Sequence, residues 1–161
     1  PSWDKKSELF INGFHSFLIS LIYLLPFIIL FFILFFSTII KINFIELQNK
    51  EVIIDFIKPV IINNLFLFIS LILLFILIIY IMPSAIMNFI NKNSFSKAFE
   101  LSLVFKKAFT GKYFVTTLIM LLYGFALYFI LGFIPILGGI IASFLIYVTS
   151  YSAYGAIYNK L

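Results

Sequence analysis

Residues 113–159 read YFVTTLIMLLYGFALYFILGFIPILGGIIASFLIYVTSYSAYGAIYN, 47 residues without an Asp, Glu, Lys or Arg. An ionised side chain at mid-bilayer is costly, and a stretch this long that excludes charge completely belongs in lipid. It is too long for one crossing and must fold back on itself. Gly and Pro cluster at Gly132-Phe133-Ile134-Pro135-Ile136-Leu137-Gly138-Gly139, which places the reversal there. The expectation is a tight hairpin of two spans, about 113–131 and 138–158, joined by an apolar turn in the interface.

Two further uncharged runs lie between His15 and Lys41 and between Lys58 and Lys92. The first predicts a span over about 16–40, kinked at Pro26, where a backbone hydrogen bond is lost. The second is too long for one crossing. It divides into a span over 62–82, a bend at Pro83 and an interfacial continuation through Asn91. Pro26, Pro83 and Pro135 are thus the expected helix-break positions. The fold class is an all-α membrane protein of four transmembrane helices, one bundle over 1–161, with amphipathic interfacial helices.

The interfacial helices are expected at 2–12 and 94–110, with an outer amphipathic link at 43–59. At 2–12, Trp3, Ser7, Phe10 and Phe14 share a face, though a plain extension of the first span fits the periodicity equally. At 94–110, Phe95, Ala98, Phe99, Ser102, Phe105 and Phe109 share a face, with Lys97, Glu100 and Lys107 away from it. Such a helix rests in the headgroup layer or docks on the bundle.

With 64% hydrophobic and 11% charged residues, the chain leaves no room for a soluble domain. It has eleven Lys and no Arg, so a net charge of +5 reads as membrane sidedness rather than nucleic-acid binding. An even number of spans puts both termini and the 91–112 segment on one side. That side holds Lys5, Lys6, Lys92, Lys97, Lys106, Lys107, Lys112 and Lys160, against Lys41, Lys50 and Lys58 opposite. Lys excess marks the cytoplasmic side, so both termini are expected in the cytoplasm of a multi-pass cell-membrane protein, where anionic lipid headgroups meet the Lys-rich face.

Little chemistry is written into the spans. No Cys is present, and the single His15, at the mouth of the first span, is expected to be an interfacial polar residue. Glu46, Glu51 and Asp55 read as a solvated face. No nucleophile or general base falls inside the membrane, so no enzyme and no cofactor are expected. The most ordered polar pattern is Ser143, Tyr147, Ser150, Tyr151, Tyr154 and Tyr158, one helical stripe at three-to-four spacing. It either lines a groove or packs: Tyr154 and Tyr158 in the cytoplasmic aromatic belt, deeper hydroxyls bonding to neighbouring helices, the latter being favoured. Small residues four apart on the same helix, among them Gly138 with Ala142 and Gly139 with Ser143, mark a close helix contact within the bundle or in a dimer.

The opening Pro-Ser-Trp-Asp, Glu8-Leu9-Phe10, Gly13, Leu21-Ile22-Tyr23-Leu24-Leu25-Pro26, Pro83-Ser84-Ala85, residues 94–99, Gly111-Lys112-Tyr113, the Ile134–Gly138 turn and Ser152-Ala153-Tyr154-Gly155 together resemble a membrane family of archaea and bacteria, domain of unknown function 4013. The likeness runs over nearly the whole chain. Members of that family carry a further hydrophobic hairpin before the Trp-Asp motif, so the resemblance implies that an N-terminal piece is missing. It implies fold and location and carries no activity. The function expected is that of a non-enzymatic structural or accessory component, in a larger assembly or a homo-oligomer. The alternative is a transporter or handler of lipids or small neutral solutes.

Overall fold

The computed structural model describes residues 6–39, 62, 64–158 and 160. These residues are mostly helical, with short turns between the helices and no strand among them. The order is α1 (Lys6–Ile39), α2 (Leu65–Lys92), a 3-10 helix (Phe95–Phe99), α3 (Leu101–Ala108), α4 (Gly111–Leu131) and α5 (Leu137–Tyr158). Four of these helices, α1, α2, α4 and α5, are long and apolar enough to cross a membrane. Together they mark a multi-pass membrane protein. The outer link at 43–59 and residues 2–5 of the expected N-terminal helix lie outside the described residues.

Residues 6–12 continue into the first span as one helix of 34 residues, so the plain extension is what forms. Helix α2 likewise runs unbroken for 28 residues, about 42 Å, and takes in the whole of what the sequence divides at Pro83. Pro26 and Pro83 sit inside their helices and end neither. Each deprives the carbonyl four residues earlier of its helical donor, which an otherwise uniform run of apolar helix formers tolerates. Helix α2 stops at Lys92, and the next residue, Asn93, adopts the left-handed conformation (φ 47°) that terminates a helix.

Residues 94–110 depart from the single amphipathic helix expected of them. Glu100 (φ −72°, ψ 75°) is not helical and splits the stretch into the 3-10 helix and α3. The periodicity counted from Phe95 therefore does not carry past residue 100. The buried side chains are Ala98, Val104 and Ala108, while Ser102 and Phe109 are exposed. Small residues face inward because main-chain carbonyls of this segment approach α2 within hydrogen-bonding distance.

The chain forms two compact units, one of residues up to Ser20 and from Tyr80 onward, the other of Leu21–Ile79. In the second unit Phe27 meets Phe75 at 4.8 Å between ring centres, with Tyr23, Leu34, Leu71 and Ile78 buried. In the first, α4 and α5 pack against each other as a hairpin that begins and ends within two residues of the spans read from sequence. Gly124 of α4 lies against Ile146 of α5, and Gly138 and Ala142 are buried. The turn is closed by Ile134 N–H to the Leu131 carbonyl (2.9 Å) and Gly138 N–H to the Ile134 carbonyl (3.1 Å). Pro135 lies in this turn, followed by Ile136 at φ 63°, a conformation that costs a β-branched residue about 1–2 kcal/mol.

Gly138 is the tightest point of the hairpin. A Cβ there would stand 1.8 Å from the Leu131 carbonyl oxygen, whereas one at Gly139 meets nothing within 4 Å. Gly138→Ala should therefore destabilise by more than about 3 kcal/mol, and Gly139→Ala by less than about 0.5 kcal/mol. Thermal unfolding of both variants in detergent checks this, and equal effects would refute the turn geometry.

Candidate functional site

Tyr80, Ser84 and Asn88 recur every four residues and so share one face of α2. Each donates a side-chain hydrogen bond to a main-chain carbonyl of the segment that follows. Tyr80 bonds Ala108 (2.7 Å), Ser84 bonds Val104 (3.1 Å) and Asn88 bonds Lys97. Ser84 and Asn88 are fully buried. Three side chains of one apolar helix thereby hold the returning chain along just over two turns. The Ala108 carbonyl that Tyr80 satisfies is at the C-terminus of α3, where a carbonyl has no partner within its own helix.

Tyrosines of α4 and α5 complete the cluster. Tyr113 is buried between Tyr80 (5.3 Å, edge to face) and Tyr154 (5.1 Å, stacked), and its hydroxyl donates to the Tyr80 carbonyl at 2.7 Å. Tyr154 donates to the Thr117 hydroxyl (3.0 Å), which itself donates to the Tyr113 carbonyl (2.9 Å). Tyr158 donates to the amide oxygen of Asn88 at 2.7 Å. Asn88 thus uses both ends of its amide, joining α2 to the 3-10 helix and to the last residue of α5. Lys107 closes the assembly: its ammonium sits 3.5 Å from the centre of the Tyr158 ring and donates to the Tyr158 carbonyl (3.1 Å). A cation there complements the helix C-terminus and the ring face together. Burial draws the Lys107 pKa down from its ordinary value, and the charge of Lys92 adds to that shift.

Thr110 fastens the joint between α3 and α4. Its hydroxyl donates to the Lys107 carbonyl (2.9 Å) and accepts from Tyr113 N–H (3.3 Å), capping α4. On the outer edge, Glu100 is paired with Lys97 and with Lys92 (3.6 Å). The hydrogen bond from Lys97 holds the Glu100 carboxyl below its ordinary 4.5, with the charges of Lys97 and Lys92 adding and desolvation opposing. His15 packs its ring against Phe89 and Phe95 at 5.6 and 5.4 Å. Among the described residues no three of His, Cys, Asp and Glu come together as a metal site would require.

The stripe read from sequence is divided by the structure. Tyr154 and Tyr158 are buried in the cluster. Ser143, half-buried, donates to the Gly139 carbonyl (2.7 Å) and lies 2.8 Å from the Tyr128 hydroxyl of α4. Tyr147 is 64% exposed and stacks on half-buried Tyr151 at 6.2 Å, with Ser150 also half-buried beside them. Tyr80, Ser84, Asn88 and Tyr113 do not figure in that stripe. Their four-residue spacing was the available signal, but it lies inside a hydrophobic run where single polar residues do not disturb the average.

A family model described as protein of unknown function, DUF4013, matches residues 1–136. The chain belongs to this family. The match takes in α1 to α4 and most of the turn, and ends before α5, so it is shorter than the likeness read from sequence motifs. The Ser152–Gly155 motif lies beyond it. No curated protein and no solved structure matches the chain. In this DUF4013 chain the matched α2 face is completed by Tyr154 and Tyr158 from outside the matched residues.

Removing Asn88 orphans the Tyr158 hydroxyl, and removing the hydroxyl orphans the Asn88 oxygen. Asn88→Ala should cost about 2–4 kcal/mol and Tyr158→Phe about 1–2 kcal/mol, with the double variant costing less than the sum. A double-mutant cycle on unfolding free energy measures this coupling, and strict additivity would break the link. Glu100 supplies a pH dependence. Its folded pKa lies below the unfolded one, so its stabilisation is present above pH about 4.5 and is lost as pH falls through the folded value. Melting temperature measured down through that window should fall more steeply for the wild type than for Glu100→Gln.

Proposed function

We propose that this DUF4013 chain is a non-enzymatic, multi-pass component of the cell membrane, with both termini cytoplasmic. It serves as a structural or accessory partner in a larger membrane assembly or as a homo-oligomer. The observation that carries this reading is how the polar groups are used. Among the described residues no buried side-chain nitrogen or oxygen lacks a hydrogen-bond partner. The amide of Asn88 and the hydroxyls of Ser84, Tyr113, Tyr154 and Tyr158 are spent on holding helices to one another and to the connecting segment. A side chain consumed in this way is not offered to a substrate. Orientation rests on the eight Lys of the terminal side against three opposite.

A second reading, transport or handling of lipids or small neutral solutes, is favoured by the Tyr147–Tyr151 pair. Tyr147 stands outside the network with its ring open, and hydroxyls in the span at this exposure are the natural lining of a groove. Native mass spectrometry of the protein extracted gently from its own membranes separates the two. A stoichiometric protein partner or a defined homo-oligomer is the expected result; a monomer retaining one lipid or metabolite would favour handling. Tyr147→Phe with Tyr151→Phe should leave both folding and any solute movement intact. Lost movement in a folded variant would transfer the weight to the second reading.

A further inference from the structure

Five Lys occupy the stretch from Lys92 to Lys112, against the single carboxylate Glu100. Three of the five are committed. Lys92 and Lys97 are paired with Glu100, and Lys107 is turned inward onto the last carbonyl of α5. Lys106 and Lys112 are exposed, and among the described residues neither ammonium has an ion-pair or hydrogen-bond partner. They flank the α3–α4 joint, in the segment that runs from the end of α2 to the start of α4, both membrane-length helices, and so lies at one face of the bilayer.

The same joint carries an outward apolar edge. Leu101, Phe105 and Phe109 recur every four residues, with Phe105 and Phe109 stacked in parallel at 5.9 Å. Phe109 is 64% exposed and Leu101 is exposed, while the small side chains Val104 and Ala108 take the buried side. Phe105 is half-buried, and in water the exposed Phe109 stacked on it is unfavourable. At the bilayer boundary it is stabilised by the upper acyl chains, and lysines beside it reach the phosphate layer.

We propose that this edge is a docking surface for anionic phospholipid: Leu101, Phe105 and Phe109 seat in the acyl boundary, and Lys106 and Lys112 engage the headgroup phosphate. The proposal rests on the multi-pass reading above. It is independent of which partner the protein serves. Charge complementarity selects the occupant, since two unpaired ammonium groups favour a lipid with net negative charge over a zwitterionic one.

The test reconstitutes the full chain into nanodiscs of equimolar phosphatidylglycerol and phosphatidylcholine and counts retained lipids by native mass spectrometry. The wild type should enrich phosphatidylglycerol, and K106Q/K112Q should lose about twenty-five-fold of that preference, from roughly fivefold per lysine near an anionic surface. K106R/K112R should retain it. K41Q/K50Q, with the same charge removed from the link that the topology reading puts across the bilayer, should match the wild type. Equal enrichment in the wild type and K106Q/K112Q, or none in either, overturns the proposal. Failure of the wild type to enter discs of any composition would instead bring down the multi-pass reading beneath it.

Discussion

Inside hydrocarbon a carbonyl or hydroxyl has no water to turn to, and every such group must find its partner within the protein. Asn88 answers that requirement for three separate pieces of chain. Its amide N–H bonds the Lys97 carbonyl, its oxygen accepts from Tyr158, and its backbone belongs to α2. Tyr80 and Ser84 repeat the arrangement at successive turns. The connecting segment can then lie close against α2 because its inward residues, Ala98, Val104 and Ala108, are small enough to bring the backbone within reach. Hydrophobic burial cannot organise these helices, since lipid is as apolar as their side chains, so polar pairing and close contact take over its role.

A second population of hydroxyls obeys the same rule locally. Ser16, Ser20, Ser70 and Thr116 each donate to the carbonyl four residues earlier in their own helix. This satisfies the donor without a neighbour and leaves the helix free to face lipid. Thr117 does both, bonding back to Tyr113 while accepting from Tyr154. The distinction between hydroxyls that join helices and those that merely stay satisfied is a matter of which face they occupy, not of residue type.

That distinction also marks what the amino-acid sequence reveals. Long uncharged runs declare membrane helices directly, because exclusion of charge is an all-or-none signal, and the Gly132–Gly139 cluster declares the hairpin because Pro135 interrupts the helix and Gly138 lets the Leu131 carbonyl come close. Family membership was legible too, from motifs spread between Trp3 and Gly138. The interruption at Glu100 was not, since nothing in a Phe- and Lys-rich stretch announces a non-helical glutamate. The polar face of α2 is not legible in the sequence, because Ile, Met and Phe surround Ser84 and Asn88. The tyrosine stripe of α5 was visible as a pattern, but helical spacing alone does not say that its lower end turns inward to α2 while Tyr147 stays outside.

The bond between Asn88 and Tyr158 spans 70 residues of chain, and Lys107 waits 51 residues for the carbonyl it caps. At about 5–20 residues per second, synthesis leaves Asn88 without that partner for several seconds to over ten. During that interval α2 carries a half-satisfied amide, and the ammonium of Lys107 has no helix end to close. Assembly of this cluster therefore runs backwards along the chain: the closing turn of α5 completes a helix made two spans earlier.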